Sequence, residues 1–298
     1  MRPVRLSIVF SSRTPRTPVI LPLNYQSSLQ GLIYKVMQDK SFSTFLHDTG
    51  FRSQNRIFRL FTFSQLSGKA IIDPKRKTIQ FNDAFHLKIS SAVPEFIQEF
   101  GRSLLLTEDI QLHEQPLQVD QLSYERLQVD KPRCRIRTLS PITVHSTFQT
   151  SDGKKITQFY DPDDTVFPYM IRENLRKKYE AFTGRKTGDE FMIRPVRVTP
   201  KDKVVAKYDG FWITAWRGIF DVVSTPELIR FALQTGLGAR SAQGFGMVEI
   251  VPQPESNTQE QGGEMERADG MDDPDRTGGH EKSDVAEGEN PSVDRRDQ

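Results

Sequence analysis

The stretch Gly236–Ile250, GLGARSAQGFGMVEI, sets four glycines (Gly236, Gly238, Gly244 and Gly246) around a short insert holding Arg240 and Ser241. Glycine lacks a Cβ and reaches positive φ cheaply, so such a loop can bring backbone N–H groups close to an anion. Phosphate suits this chemistry, with Gly238, Arg240, Ser241 and Gly244 as its contacts. The stretch lacks the Gly-Lys-Ser/Thr ending that supplies the phosphate lysine and magnesium hydroxyl of a nucleoside-triphosphate loop. It also follows a helix pattern and precedes a strand pattern, the reverse of a dinucleotide-binding turn. Residues 243–250, QGFGMVEI, approximate the RNA-recognition octamer but lack its first basic residue and two aromatics. A plain glycine-rich helix-to-strand turn is the competing reading.

Other residues offer further chemistry. In Arg133-Cys134-Arg135-Ile136-Arg137 the strand period of two puts Arg133, Arg135 and Arg137 on one face, a row of guanidiniums suited to phosphate. Arg172 and Arg176 lead a second basic cluster with Lys177, Lys178, Arg185 and Lys186, for half of which ordinary solvated surface is the competing reading. Trp212 and Trp216 share a strand face, either as base-stacking platforms or as core. Asp161-Pro162-Asp163-Asp164 has carboxylates but no partner ligands at coordinating spacing, so it reads as a turn and helix start. His86, His113, His145 and His280 form no ligand pair by spacing, and neither a metal site nor a cofactor is expected. Cys134 reads as core rather than nucleophile.

Bulk charge narrows the partner. The net +2 of the 298 residues conceals an asymmetry: residues 253–298 carry 14 Asp and Glu against 5 Lys and Arg, leaving 25 against 36 in residues 1–252. The basic body points to a polyanion, and a sensor of a small anionic ligand would have little use for so broad a surface. The acidic tail, poor in large apolar residues, is expected to be disordered, either screening the basic face or solubilising the chain. With 36% apolar and 10% aromatic residues the body can build real cores. The opening MRPVRLSIVF breaks its short apolar run with charges and is expected to be neither a signal peptide nor a membrane span. A lone cysteine agrees with a reducing cytoplasm.

The elements that must carry these residues follow from periodicity. Alternation predicts a strand over 3–11, and Leu29, Leu32, Ile33, Val36 and Met37 mark a helix opening near Ser27 or Ser28. Phe42, Phe45 and Leu46 suggest a second short helix ending near His47. Strands over 56–63 and 81–90, a helix from Pro94 to about 105 and a strand over 117–124 complete the order βαββαβ. The order repeats with a strand from Arg133, a helix over 166–182, strands over 191–198 and 210–217, a helix after Thr225 and a last strand at Phe245. The fold expected is α+β: two tandem ferredoxin-like (RRM-like) domains, 1–125 and 126–252, and the tail 253–298.

Several stretches, in this order, resemble the CRISPR-associated repeat-processing endoribonucleases, which mature guide RNAs within the repeat-associated mysterious protein superfamily. They are LNYQSSLQGLIYKVM (23–37), FLHD (45–48), LFTFS (60–64), LSPITV (139–144), TAW (214–216) and the glycine loop. The resemblance covers residues 1–251. It implies metal-independent cleavage of CRISPR repeat RNA, in which the RNA's own 2′-hydroxyl attacks and the products carry a 2′,3′-cyclic phosphate and a 5′-hydroxyl. It also implies a site tyrosine matching Tyr34, a histidine matching His47 and a lysine with no clean counterpart, for which Arg59 and Arg52 are the candidates. His47, ordinarily titrating near 6.5, is the expected general acid or base. Tyr34 is expected to position, or to act as a base only if its pKa is lowered. The alternative is a subunit that binds repeat RNA without cutting it, beside other CRISPR effector subunits. The expected protein is a cytoplasmic monomer or homodimer that binds RNA and no membrane.

Overall fold

Alternation along Val4–Ser12 (β1) sends Leu6, Ile8 and Phe10 into the core and makes this strand the centre of a five-stranded sheet. The computed structural model describes residues 4–53, 56–188 and 190–252, other than the side chains of 46 and 47, so the expected tail 253–298 lies outside the described residues. After β1, helix α1 (Gln26–Val36) buries Leu29, Leu32, Ile33 and Val36 at helical spacing. Strands β2 (Phe61–Phe63) and β3 (Phe85–Ser91), helix α2 (Pro94–Leu106), and the hairpin of β4 (Ile110–Leu112) and β5 (Gln115–Arg126) follow. The sheet order is β2-β3-β1-β5-β4, with every neighbour antiparallel. Setting aside edge strand β4, this is the ferredoxin-like arrangement.

The second unit repeats it with β6 (Arg133–Thr138), α3 (Val166–Thr183), β7 (Met192–Arg197), β8 (Ile219–Val223), α4 (Pro226–Thr235) and β9 (Val248–Ile250). Its order is β7-β8-β6-β9, again antiparallel. Thr225 caps α4 by accepting the Leu228 N–H at 3.4 Å, and Pro226 takes the first helical position. The fold is thus α+β with duplicated ferredoxin-like sheets, and the two sheets share one compact unit. Arg5 of β1, 2% exposed, joins them by donating to Ser90 Oγ at 3.0 Å and Val248 O at 2.7 Å and pairing with Glu249 at 3.7 Å. Among the described residues no helix is long and apolar enough to cross a membrane.

Two strand expectations need correction. Residues 56–63 are not one strand: Arg56–Phe58 pairs with Phe51–Ser53 in a hairpin, and only Phe61–Phe63 enters the sheet. Leu60, at φ 50°, turns the chain between them, a costly conformation for a bulky residue. Its carbonyl accepts from the Ala92 N–H at 3.1 Å and Ser91 Oγ at 2.9 Å, which holds the bend. Residues 211–216 leave the second sheet and pair with Lys203–Tyr208, while β8 takes the central place expected of them. The run 211–223 is β-prone almost throughout, so periodicity cannot say which part enters the sheet. On the displaced strand Trp216 is 7% exposed and Trp212 65%, so the face they share is covered at one end and open at the other.

Candidate nucleic-acid interface and active site

One lysine holds the link between α4 and β9 from beneath. Lys178 lies on the face of α3 that buries Phe167, Ile171 and Leu175, and it is 4% exposed. Its Nζ donates to Gly236 O at 2.8 Å, Ser241 Oγ at 2.8 Å, Gly238 O at 3.2 Å and Thr235 O at 3.3 Å. Burial pushes its pKa down to about 7, while the four oxygens favour the cation. Close approach explains two of the glycines. A Cβ on Gly246 would lie 1.9 Å from Leu237 O, and one on Gly238 2.5 Å from Thr143 O, both at positive φ. The amides of Leu237, Ala239, Gln243, Gly244 and Gly246 already donate to protein carbonyls. The glycines therefore fold the loop tightly against its neighbours more than they bare a row of amides, and Arg240 and Ser241 are left lining a cavity.

Three cavities run in series beside this loop. The central one, about 300 Å³, is lined by Arg56, Arg59, Gly238, Arg240 and Ser241 among others. It shares Arg59 and Gln243 with a second of about 490 Å³ that Gln30, Gly31, Tyr34 and Tyr208 help to line. On its other side it shares Arg56, Asn174, Gly238 and Ala239 with a third of about 390 Å³ beside His145. Shared walls make one trough from α1, past the glycine loop, to α3.

At the α1 end, the Tyr34 ring meets Phe61 edge-on, 5.9 Å between centroids. Burial pushes the Tyr34 hydroxyl up to about 12, with the Arg59 guanidinium pulling the other way. Tyr208 arrives from the second unit, hydrogen-bonds the Gln30 side chain, and is likewise pushed up to about 12 by burial and by Asp209. Both shifts favour the protonated phenol, so the lowered pKa on which a base role for Tyr34 depended is not found. Asp48 is close enough to Tyr34 to raise its pKa further. It belongs to the π-helical turn Phe45–Thr49, which continues the helix Lys40–Thr44 capped by Asp39. His47 sits in that turn, and its side chain lies outside the described residues. Of the two candidate arginines, Arg59 lines two cavities, whereas Arg52 is exposed on the neighbouring hairpin and lines none.

The other arginines expected to contact RNA do not line the trough. Arg133, Arg135 and Arg137 do share a face, but Asp221 takes Arg135 at 2.8 Å and Glu249 takes Arg137 at 2.5 Å. Both carboxylates stand directly across in the neighbouring strands, which a reading of one strand cannot see. Arg172 pairs with Glu190 at 3.0 Å and Arg176 with Glu173 at 3.1 Å. Lys178, grouped with them in sequence, is not surface at all, and its helical spacing from Ile171 and Leu175 was the signal. Burial pushes the half-buried Cys134 thiol up to about 11, which keeps it protonated. Asp164 Oδ2 accepts the Asp161 N–H at 2.7 Å, so this acidic run forms a turn before α3. Among the described residues no group of three or more His, Cys, Asp or Glu could hold a metal ion. Arg56, His145, Asn174 and Tyr208 line the trough without having been singled out for it, since distant segments bring them together.

Both halves of the chain resemble known proteins. The family models described as "CRISPR-associated protein Cas6, N-terminal" and "CRISPR associated protein Cas6, C-terminal" match residues 20–123 and 125–250. A CRISPR-associated endoribonuclease Cas6 1 from Methanocaldococcus jannaschii is 29% identical over 236 residues, 78% of this chain and 88% of its own. A CRISPR-associated endoribonuclease Cas6 from Pyrococcus furiosus is 26% identical over 234 residues, 77% of this chain and 83% of its own. A solved structure described as CRISPR associated protein Cas6 aligns with a TM-score of 0.68 at 26% identity, covering 84% of this chain and 99% of that one.

Proposed function

The chain is an RNA-cleaving enzyme of the CRISPR-associated Cas6 family, and we propose that it cuts CRISPR repeat RNA in the trough between α1 and the glycine loop. The observation that carries this reading is the meeting of Tyr34 and Arg59 at one end of a trough that Arg56 and Arg240 continue. We read residues 1–125 and 126–252 as its two domains, the first supplying the reacting groups and the second the loop.

RNA brings its own nucleophile. The 2′-oxygen attacks the adjacent phosphorus, the bond to the 5′-oxygen breaks, one proton leaves the 2′-hydroxyl and one reaches the 5′-oxygen. The products are a 2′,3′-cyclic phosphate and a 5′-hydroxyl, and the balance needs no metal. His47 takes the role of general acid or base. Tyr34, protonated at neutral pH, donates to a phosphate oxygen. Arg59 faces the charge that builds on the phosphorane, and as a guanidinium it stabilises charge without moving a proton. The protein works in the cytoplasm as a monomer or homodimer, alone or beside other CRISPR effector subunits.

The test is a labelled repeat RNA incubated in chelator. Wild type is expected to give a product ending in a cyclic phosphate, and His47→Ala to leave the RNA uncut while binding it within a few fold. Unchanged cutting by His47→Ala would remove the histidine from the site. Binding without cutting by wild type would make the chain a subunit that only holds RNA. Affinity should fall steeply with added salt, since phosphate contacts release counterions.

A further inference from the structure

The third cavity lies at the opposite end of the trough from Tyr34, and the strand-cutting chemistry above gives its polar groups no part. His145 opens the hairpin formed with Lys155–Phe159, and its ring packs on Phe159 at 5.5 Å between centroids. Asn174 comes from α3, one turn before Lys178. Nδ1 of His145 and Oδ1 of Asn174 are both buried, and neither has a hydrogen-bond partner among the described residues. Leaving such a group unpaired costs about 1–3 kcal/mol, so two in the wall of one cavity mark a place that another molecule completes.

Charge and shape narrow the kind of molecule. Burial, and then Arg240 and Arg56, push His145 down to about 4, so its imidazole is neutral wherever RNA is handled near neutral pH. A neutral imidazole is a weak partner for phosphate, which the flanking guanidiniums take instead. It is a good partner for the edge or face of an uncharged heterocycle. Met170 and Val144 add apolar wall, and the volume of about 390 Å³ is that of a small-ligand pocket. The cavity shares Arg56, Asn174 and Gly238 with the central one, so a base seated here and a phosphate seated there belong to one strand.

We propose that the cavity walled by His145, Asn174 and Met170 is a nucleobase pocket that takes one unstacked adenine of the bound RNA, read by the Asn174 carboxamide while Arg56 holds the adjoining phosphate. It rests on the trough being the RNA path and adds an element that reads sequence. The carboxamide offers one acceptor and donors in the pattern complementary to the amino group and ring nitrogen of adenine. The unpartnered Oδ1, out of solvent's reach in the observed setting, is the acceptor that the amino group would satisfy once the carboxamide turns into the cavity.

Recognition is separated from cutting in the His47→Ala background. Affinity is measured for that protein and for its Asn174→Ala derivative, against labelled repeat RNA and a series in which each base in turn is replaced by an abasic ribose. Removal of one adenine is expected to weaken binding by about tenfold, within the range of one good base contact. Asn174→Ala should weaken binding to intact RNA by the same factor, and the two losses should not add. Asn174→Asp keeps the shape but offers only acceptors, and should shift the preferred base at that position from adenine toward cytosine. Thermal melting should not fall in Asn174→Ala, which removes an acceptor that has no partner. Losses that add at every position, or full affinity in Asn174→Ala, would overturn the pocket. A His47→Ala parent that binds no repeat RNA would overturn the trough as RNA path, a separate failure.

Discussion

In the first unit the link from α1 to β2, residues 37–60, holds a capped helix, a π-helical turn and a hairpin, and it delivers Arg56 and Arg59 to the trough. The same link in the second unit, from α3 to β7, is the short run 184–191. There the long connections are 139–165, which delivers His145, and 198–218, which delivers Tyr208. The last links differ as well: 107–114 is spanned by an edge hairpin, whereas 236–247 is the glycine loop pinned by Lys178. Two sheets of one topology thus serve as a frame, and the unequal connections carry most of the side chains singled out in the trough.

If frame and connections do separate jobs, variants of the packed anchors should lose stability first and variants of the trough should lose RNA chemistry first. The largest effect is expected from Gly246→Ala, which forces a Cβ to within 1.9 Å of Leu237 O. It should cost at least about 3 kcal/mol in urea denaturation. Wild-type stability would mean that packing does not set the loop. Lys178→Met strands four buried oxygens and should cost about 2–4 kcal/mol. Lys177→Met, its neighbour, should stay within about 0.5 kcal/mol. Arg59→Ala should slow single-turnover cutting about a hundredfold with melting unchanged, while Arg52→Ala stays within a few fold. Equal losses would erase the distinction between the two arginines.

Smaller still is a pH effect. His145 holds its proton more weakly folded, at about 4, than at its ordinary 6.5. The unfolded chain therefore binds more protons between these values, so the stability from this group is whole above 6.5 and drains as pH falls toward 4. His145→Gln should flatten that part of the stability curve, and an unchanged slope would assign it elsewhere. Smallest is Gly31→Ala in α1, where an added Cβ meets nothing within 4 Å. It should raise unfolding free energy by up to about 1 kcal/mol.

Local pattern made most of the frame legible. Thr225, Pro226 and Gly236 bracket α4, Pro94 opens α2, and Leu6, Ile8 and Phe10 mark β1, because caps and periods are written within a few residues. The bend at Leu60 escaped, since a bulky residue at positive φ is held there by Ala92 and Ser91, thirty residues on. Asp221 and Glu249 escaped as the partners of Arg135 and Arg137 because a cross-strand neighbour is a fact of register and not of sequence proximity. Tyr34 and Arg59 were reached through family resemblance. His145 and Tyr208 were not, because each sits on a hairpin whose only relation to Tyr34 is through the folded trough.

The guanidinium of Arg5 has a consequence for how the two sheets hold together. It lies in β1, the central strand of the first sheet, yet two of its partners, Val248 O and Glu249, are in the last strand of the second sheet. Its own sheet offers the guanidinium only Ser90 Oγ and the field of Glu125, and β9 completes its set of partners. The last strand of the second sheet therefore helps to fasten the first. Two sheets that share one buried cation are expected to come apart together, because losing either leaves that charge without part of its pairing.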